Sequence, residues 1–275
     1  MPIKTDRIRR DIATIARFTE TPGEGATRPT FSDAWREARD YVINQARKIG
    51  CIARIDAAGN VHARPASMLS TKVWLSGSHI DSVPNGGDYD GVAGIVCALE
   101  TLRSANDSKR SAPLELIIFA EEEGPTFGLG MMGSRAWVGA LSSAELSKLR
   151  NHDGKNYLQA GKPHGVDASK LRKDRCDPSQ YLGLIEVHIE QGPGMWKRRQ
   201  RVAVVNAIAG RRQYLCTITG EANHAGSTSM QDRSDALAAA AEIICSLEDL
   251  PAWDHDEVLT VGKLNVTPNA VNVVP

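Results

Sequence analysis

Apolar positions in the first fifty residues recur at helical spacing. Ile8, Ile12 and Ile15 mark one amphipathic helix. A turn-rich stretch with Pro22, Gly23, Gly25 and Pro29 follows. Ser32 can cap a second helix, whose apolar face is Trp35, Ala38, Val42, Ala46 and Ile49, and Gly50 ends it. The period then changes. Cys51 to Asp56 and Val61 to Arg64 flank an Ala-Ala-Gly-Asn turn, which predicts a hairpin. Val73 to Gly77 predicts a strand, and residues 91–103 predict a helix with Ile95, Ala98, Leu99 and Leu102 on one face. The apolar run Leu114 to Ala120 is typical of a strand buried on both faces. Residues 141–181 are polar and mixed and carry no clear period. Leu182 to Ile189 and Val202 to Ile208 predict further strands. Strand, helix, strand in this order argues an α/β domain: a central, mostly parallel sheet with helices on both faces.

After Gly210 the character shifts. Tyr214 to Thr219 alternates like a half-exposed strand, Asp235 to Leu247 reads as an alanine-rich helix, and Val258 to Val266 reads as another strand. A second, smaller α+β domain over residues 211–275 is expected beside a first domain over residues 1–210.

Composition narrows the function classes. The 275 residues carry 33 lysines and arginines against 33 aspartates and glutamates, so a chain-wide basic surface for nucleic acid is not expected. Five cysteines lie far apart with no C-x-x-C pair, which disfavours both a disulfide scaffold and a cysteine zinc site and fits a reducing cytoplasm. Lys4, Arg7, Arg9 and Arg10 are followed by no apolar core, and no apolar run is long enough to span a membrane.

Neutrality hides two acidic stretches. Residues 73–102 hold Asp81, Asp88, Asp90 and Glu100 with no lysine or arginine, and residues 111–134 hold Glu115, Glu121, Glu122 and Glu123 with none. A divalent ion site wants such surroundings. His79 follows a strand, where open α/β sheets place their sites, and Asp81 is close enough to orient its ring. Asp90 lies in a glycine-rich loop. Glu121, Glu122 and Glu123 close a buried strand, and His188 lies on or just past a strand expected to be central. Each alone has a plain reading: a core histidine, a capping aspartate, a solvated acidic run. Together, three strand ends offer histidine or carboxylate and no cysteine, which suits zinc, manganese or cobalt in a hydrolytic site. A carboxylate shared by two ions would make the site dinuclear. His224, in a loop of small residues, can meet a substrate carboxylate or carbonyl, or the loop can simply cap the following helix.

The set G-S-H-I-D-S-V-x-N-G-G-x-x-D-G, E-E-E-G, E-V-H-I-E-Q-G-P, N-H-A-G and P-N-x-V-N-V-V-P resembles the allantoate amidohydrolase and N-carbamoyl-L-amino-acid hydrolase group. These are dinuclear metallohydrolases related to aminoacylases and carboxypeptidase-like enzymes. The resemblance runs from about residue 5 to the last residue. It implies one metal on His79 and His188, a second on Glu123, and Asp90 bridging them. It implies Glu122 as general base, Asp81 as the residue orienting His79, and Gln191, His224 and Asn269 as substrate contacts. Two divalent ions (zinc, manganese, cobalt or nickel), a small ureido acid as substrate, no nucleic-acid or membrane partner, and a homodimer built through a lid domain follow from it. H-I-E-Q-G-P speaks against an aminoacylase or dipeptidase.

Two departures stand out. Pro125-Thr126 replaces the usual x-Arg after Glu-Gly, so a local anchor is expected to be lost. Members of the group also continue past the position of Pro275, to complete the lid, supply an arginine for the substrate carboxylate, and add a final histidine ligand. No histidine follows His255. The sequence therefore reads as cut short, with a weak second metal site, and a non-catalytic remnant or metal-binding subunit is the alternative to an active enzyme.

Overall fold

The computed structural model describes residues 2–208, 210, 212–248 and 258–275. His255 lies outside the described residues, as does Arg211 at the start of the expected second domain. The chain divides into two compact units, Met1–Val202 and Ala203–Pro275.

The first unit is α/β. Helix α1 spans Thr5–Ile15 and α2 spans Asp33–Arg47. Ser32 caps α2 by accepting from the Trp35 amide, which satisfies one of the helix's free N–H groups. Trp35, Ala38, Val42 and Ala46 are all fully buried on the face that the periodicity marks. Strands β1 (Cys51–Ile55) and β2 (Val61–Pro65) form the expected antiparallel hairpin. They are followed by β3 (Val73–His79), α3 (Val92–Asp107) and β4 (Leu114–Phe119). Short helices α4 (Met132–Trp137), α5 (Ser143–Leu146) and α6 (Tyr157–Gly161) precede β5 (Tyr181–Ile185), and α7 (Gly194–Lys197) closes the unit.

The sheet order is β1-β2-β4-β3-β5. It is mixed: β3 runs parallel to both β4 and β5, while β2 is antiparallel to β1 and β4. Helices cover both faces. Leu116 and Ile118 of β4 pack with α1, α2 and α3, and Ile117 and Phe119 pack with α4, α5 and α6. All six β4 residues are buried, which explains its apolar run. Among the described residues β5 pairs on one side alone, with β3, whereas a central strand was expected, and it ends at Ile185. The ladder with β3 stops at Ser76 and Ile185 although β3 runs on to His79, so residues 186–189 follow the strand unpaired. His188 therefore lies beyond the strand.

In the second unit, β6 (Asn223–His224) pairs antiparallel with β7 (Val273–Val274), and α8 spans Ala236–Glu248. The strands expected at 202–208, 214–219 and 258–266 are not formed. Alternation marks a face but supplies no partner, and a strand without a ladder is not stable by itself. Tyr214, Leu215 and Val258 are accordingly exposed. Among the described residues, no helix is long and apolar enough to cross a membrane.

Candidate metal centre

Parallel pairing brings the carboxyl ends of β3 and β4 side by side, with His79 opposite Phe119. The loop after each strand then rises at the same edge of the sheet. His79 is 1% exposed. The chain returns to it through Gly91, which has φ +66° and sits so close that a Cβ there would lie 2.4 Å from the His79 carbonyl oxygen and 2.7 Å from its ring. That contact places Asp90, one residue earlier, against the imidazole.

Ligand-type atoms of His79, Asp90 and His188 all lie within 4.8 Å of one another. Asp90 Oδ1 is 3.7 Å from His79 Nε2 and 3.3 Å from His188 Nε2. Donors about 2.0–2.2 Å from a tetrahedral ion stand about 3.3–3.6 Å apart, so the 3.3 Å pair suits a metal and the 3.7 Å pair lies just beyond that range. Asp90 Oδ1 is buried without a hydrogen-bond partner, an expensive arrangement for a carboxylate oxygen unless a cation meets it. Its other oxygen, Oδ2, accepts from the Gln191 side-chain amide at 2.9 Å. Gln191 has φ +58° and meets Asp90 in this structure.

The carboxylates follow β4. Glu122 Oε2 lies 3.7 Å from His79 Nε2 and is partly exposed. Glu123 is partly exposed too, and its backbone N–H donates to Asp81 Oδ2 at 3.0 Å. Glu121 turns the other way. It is fully buried with φ +51°, and its Oε1 accepts from the backbone N–H groups of Thr126 and Phe127 at 3.0 and 2.9 Å. Thr126 in turn accepts from the Thr30 N–H at 3.1 Å, so the position where the resemblance expects an arginine anchor holds a different one. Nothing in the run of three glutamates separates Glu121 from its neighbours. Only the turn after β4 does.

Asp81 differs from expectation in one detail. The His79 Nδ1 partner is the Asp81 backbone carbonyl at 2.9 Å, while its carboxylate is 4.0 Å away. The ring orientation thus comes from the main chain.

Burial opposes charge on His79, but Asp90, Asp81 and Glu122 outweigh it and raise its pKa to about 9. The facing His79 is the main cause that brings Asp90 down to about 2, against burial and with help from Gln191 and His188. Burial raises Glu122 and Glu123 above the ordinary carboxylate range, and His79 pulls against it. The acidic surroundings favour positive charge at this cluster, which a proton or a divalent ion can supply.

His224 and Asn269 belong to the second unit. His224 is exposed and its Nδ1 accepts from the Gly226 N–H at 3.1 Å, and Asn269 is exposed with φ +55°.

The pattern of peptidase family M20/M25/M40 matches residues 75–260, which include every residue of this cluster. The chain belongs to that family. Among its relatives, the N-carbamoyl-L-amino acid amidohydrolase of Geobacillus stearothermophilus is 36% identical over 99% of this chain and 67% of its own length. The allantoate amidohydrolase of Bacillus subtilis (strain 168) is 35% identical over 95% of this chain and 64% of its own. The crystal structure of AtUAH in complex with glyoxylate superposes with a TM-score of 0.82 at 27% identity, covering all of this chain and 67% of the other. The chain thus spans about two thirds of the length of the M20/M25/M40 relatives it matches.

Proposed function

We propose that the protein is a metal-dependent hydrolase of non-peptide carbon–nitrogen bonds, acting on N-carbamoyl-L-amino acids or allantoate. The observation that carries this reading is the unpartnered Asp90 Oδ1 facing two histidine Nε2 atoms, in a chain similar to enzymes of both names. His79, Asp90 and His188 hold the first ion, and Glu123 with the shared Asp90 serves the second; zinc, manganese, cobalt and nickel all suit such donors. Bound there, divalent ions supply polarisation of the scissile carbonyl and a water of lowered pKa.

The chain's own residues do the rest. Glu122, beside the histidines and open to solvent, takes a proton from the attacking water and returns it to the leaving nitrogen. Asp81 holds His79 by its backbone carbonyl and Glu123 by its carboxylate. Gln191, His224 and Asn269 serve the ureido substrate. Five free cysteines support a reducing compartment, the cytoplasm, and the resemblance supports a homodimer through the second unit.

The test is ion binding followed by turnover. Calorimetry on the metal-stripped chain should find a bound divalent ion, lost in His79→Ala. Ammonia release from N-carbamoyl-L-amino acids or allantoate should appear only after zinc, manganese, cobalt or nickel is restored. A chain that binds none of the four ions overturns the proposal.

A further inference from the structure

We propose that residues 26–30, pinned by Arg28, form a positioning clasp that sets the geometry of the metal centre. The inference rests on the reading of His79, Asp90 and His188 as an ion site. Arg28 is a positioning residue and touches no reacting atom.

Arg28 is 1% exposed, and among the described residues no carboxylate lies within ion-pair distance of it. Its guanidinium instead donates to three backbone carbonyls: Nε to Ile80 at 2.7 Å, and Nη1 to Phe18 at 2.8 Å and Ile15 at 3.2 Å. A buried cation with no carboxylate in contact is costly even with Asp88 and Asp81 acting on it from further off, and a planar fork of fixed donors can span several acceptors at once. The Ile80 carbonyl lies between His79 and Asp81. Arg28 therefore ties the segment carrying these two residues to the end of α1.

The flanking residues extend the hold to the other loops. Ser82 Oγ accepts from the Arg28 N–H at 3.0 Å and donates to the Ala26 carbonyl at 2.8 Å. Ala26 and Gly86 exchange two backbone bonds of 2.8 Å. Thr27 Oγ1 accepts from the Asn85 N–H at 2.9 Å. Residues 80–90 contain no helix or strand, so these bonds fix the path from His79 to Asp90. On its other side, the Thr30 N–H reaches Thr126, which Glu121 anchors just beyond Glu122 and Glu123. One five-residue segment thus meets the loop that follows His79 and carries Asp81 and Asp90, and the loop that carries Glu122 and Glu123.

Cobalt(II) titration of the full chain, read by visible absorption, tests the clasp. The wild type should bind with a histidine-type ligand-field spectrum. Arg28→Met should weaken binding by about tenfold or more and shift the bands, as loss of outer-shell support does elsewhere. Arg28→Lys, which keeps the charge but not the fork, should fall between. Ser82→Ala leaves no buried charge unpaired and should shift affinity and bands in the same direction by less. It decides the matter if Arg28→Met does not fold. Arg103→Met removes another buried arginine, at the far end of α3, and should lower the melting temperature with affinity and spectrum unchanged. Wild-type affinity and spectrum in both Arg28→Met and Ser82→Ala would overturn the clasp alone. Equal weakening by Arg103→Met would reduce it to general stability. A wild type that binds no cobalt would overturn the ion site and the clasp together.

Discussion

Asp81 serves His79 and Glu123 through different atoms: its backbone carbonyl takes the His79 Nδ1 proton at 2.9 Å, and its carboxylate Oδ2 takes the Glu123 N–H at 3.0 Å. The side chain is fully buried, and its second oxygen has no hydrogen-bond partner. Orientation of the first imidazole is thereby separated from placement of the glutamate loop. Asp81→Asn keeps the carbonyl and still offers an oxygen to Glu123. Its loss of ion affinity at the His79 site should stay below about tenfold, less than the 10- to 100-fold usual for removing a carboxylate partner of a metal-bound histidine. Calorimetric titration checks this. A hundredfold loss would show that the carboxylate charge 4.0 Å away, and not the carbonyl alone, holds His79 ready for the ion.

Among the described residues, Glu122 is the glutamate nearest the His79 nitrogen that faces Asp90. In the proposed role of base, it is needed for proton transfer and not for holding an ion. Glu122→Gln should retain ion binding and lose turnover by about two to four orders of magnitude. Equilibrium ion binding and steady-state ammonia release on one preparation separate the two roles. Loss of the ion in Glu122→Gln with retention in Glu123→Gln would exchange them.

A buried charged network lies away from the metal centre. His62 Nδ1 meets Glu115 Oε1 at 2.7 Å, its Nε2 meets Asp56 Oδ2 at 3.1 Å, and Arg64 and Tyr181 also bond Glu115. Burial opposes protonation of His62, but Asp56 and Glu115 outweigh it and raise its pKa. A raised folded-state pKa stabilises fully below the unfolded value of about 6.5 and is lost as pH climbs through the folded value. Denaturant unfolding should therefore show stability falling above about pH 6.5, with that slope reduced in His62→Gln. Glu115→Ala leaves Arg64 without its carboxylate and His62 with Asp56 alone, and should cost about 3–5 kcal/mol at neutral pH. An unchanged pH slope in His62→Gln would assign the titration elsewhere.

Much of this was legible in the chain. Ser32 before Trp35 announces the cap of α2, and the apolar run ending at Ala120 announces a strand covered on both faces. Residues at strand ends stood out because carboxylates and histidines are conspicuous beside apolar runs. The relationships that depend on three dimensions were not legible. Arg28 looks like any arginine in a turn-rich stretch, since its acceptors are carbonyls at positions 15, 18 and 80 and carry no side-chain signature. Glu121 is inseparable from its neighbours until the chain adopts φ +51°. Val258 to Val266 has a strand's alternation, but pattern cannot state whether a partner strand lies beside it.

Gly91 joins the backbone and the metal centre at one point. It precedes α3 with φ +66° and ψ −45°, outside the regions that residues with a Cβ populate readily. The space is also taken: an added Cβ would meet the His79 carbonyl at 2.4 Å and the ring carbons Cδ2 and Cε1 at 2.7 Å. Neither the carbonyl, held in β3, nor the ring, held by Asp81, can yield without moving the other. Gly91→Ala should cost about 1–3 kcal/mol in backbone strain. It should also displace His79 and Asp90 relative to each other, weakening ion binding by more than tenfold on the outer-shell scale of about 10- to 100-fold. Unfolding measured with and without saturating ion separates the effects, because stabilisation by the ion tracks its affinity. Wild-type affinity in a folded Gly91→Ala chain would mean that the close approach of this glycine to the imidazole is not what holds the two ligands in register.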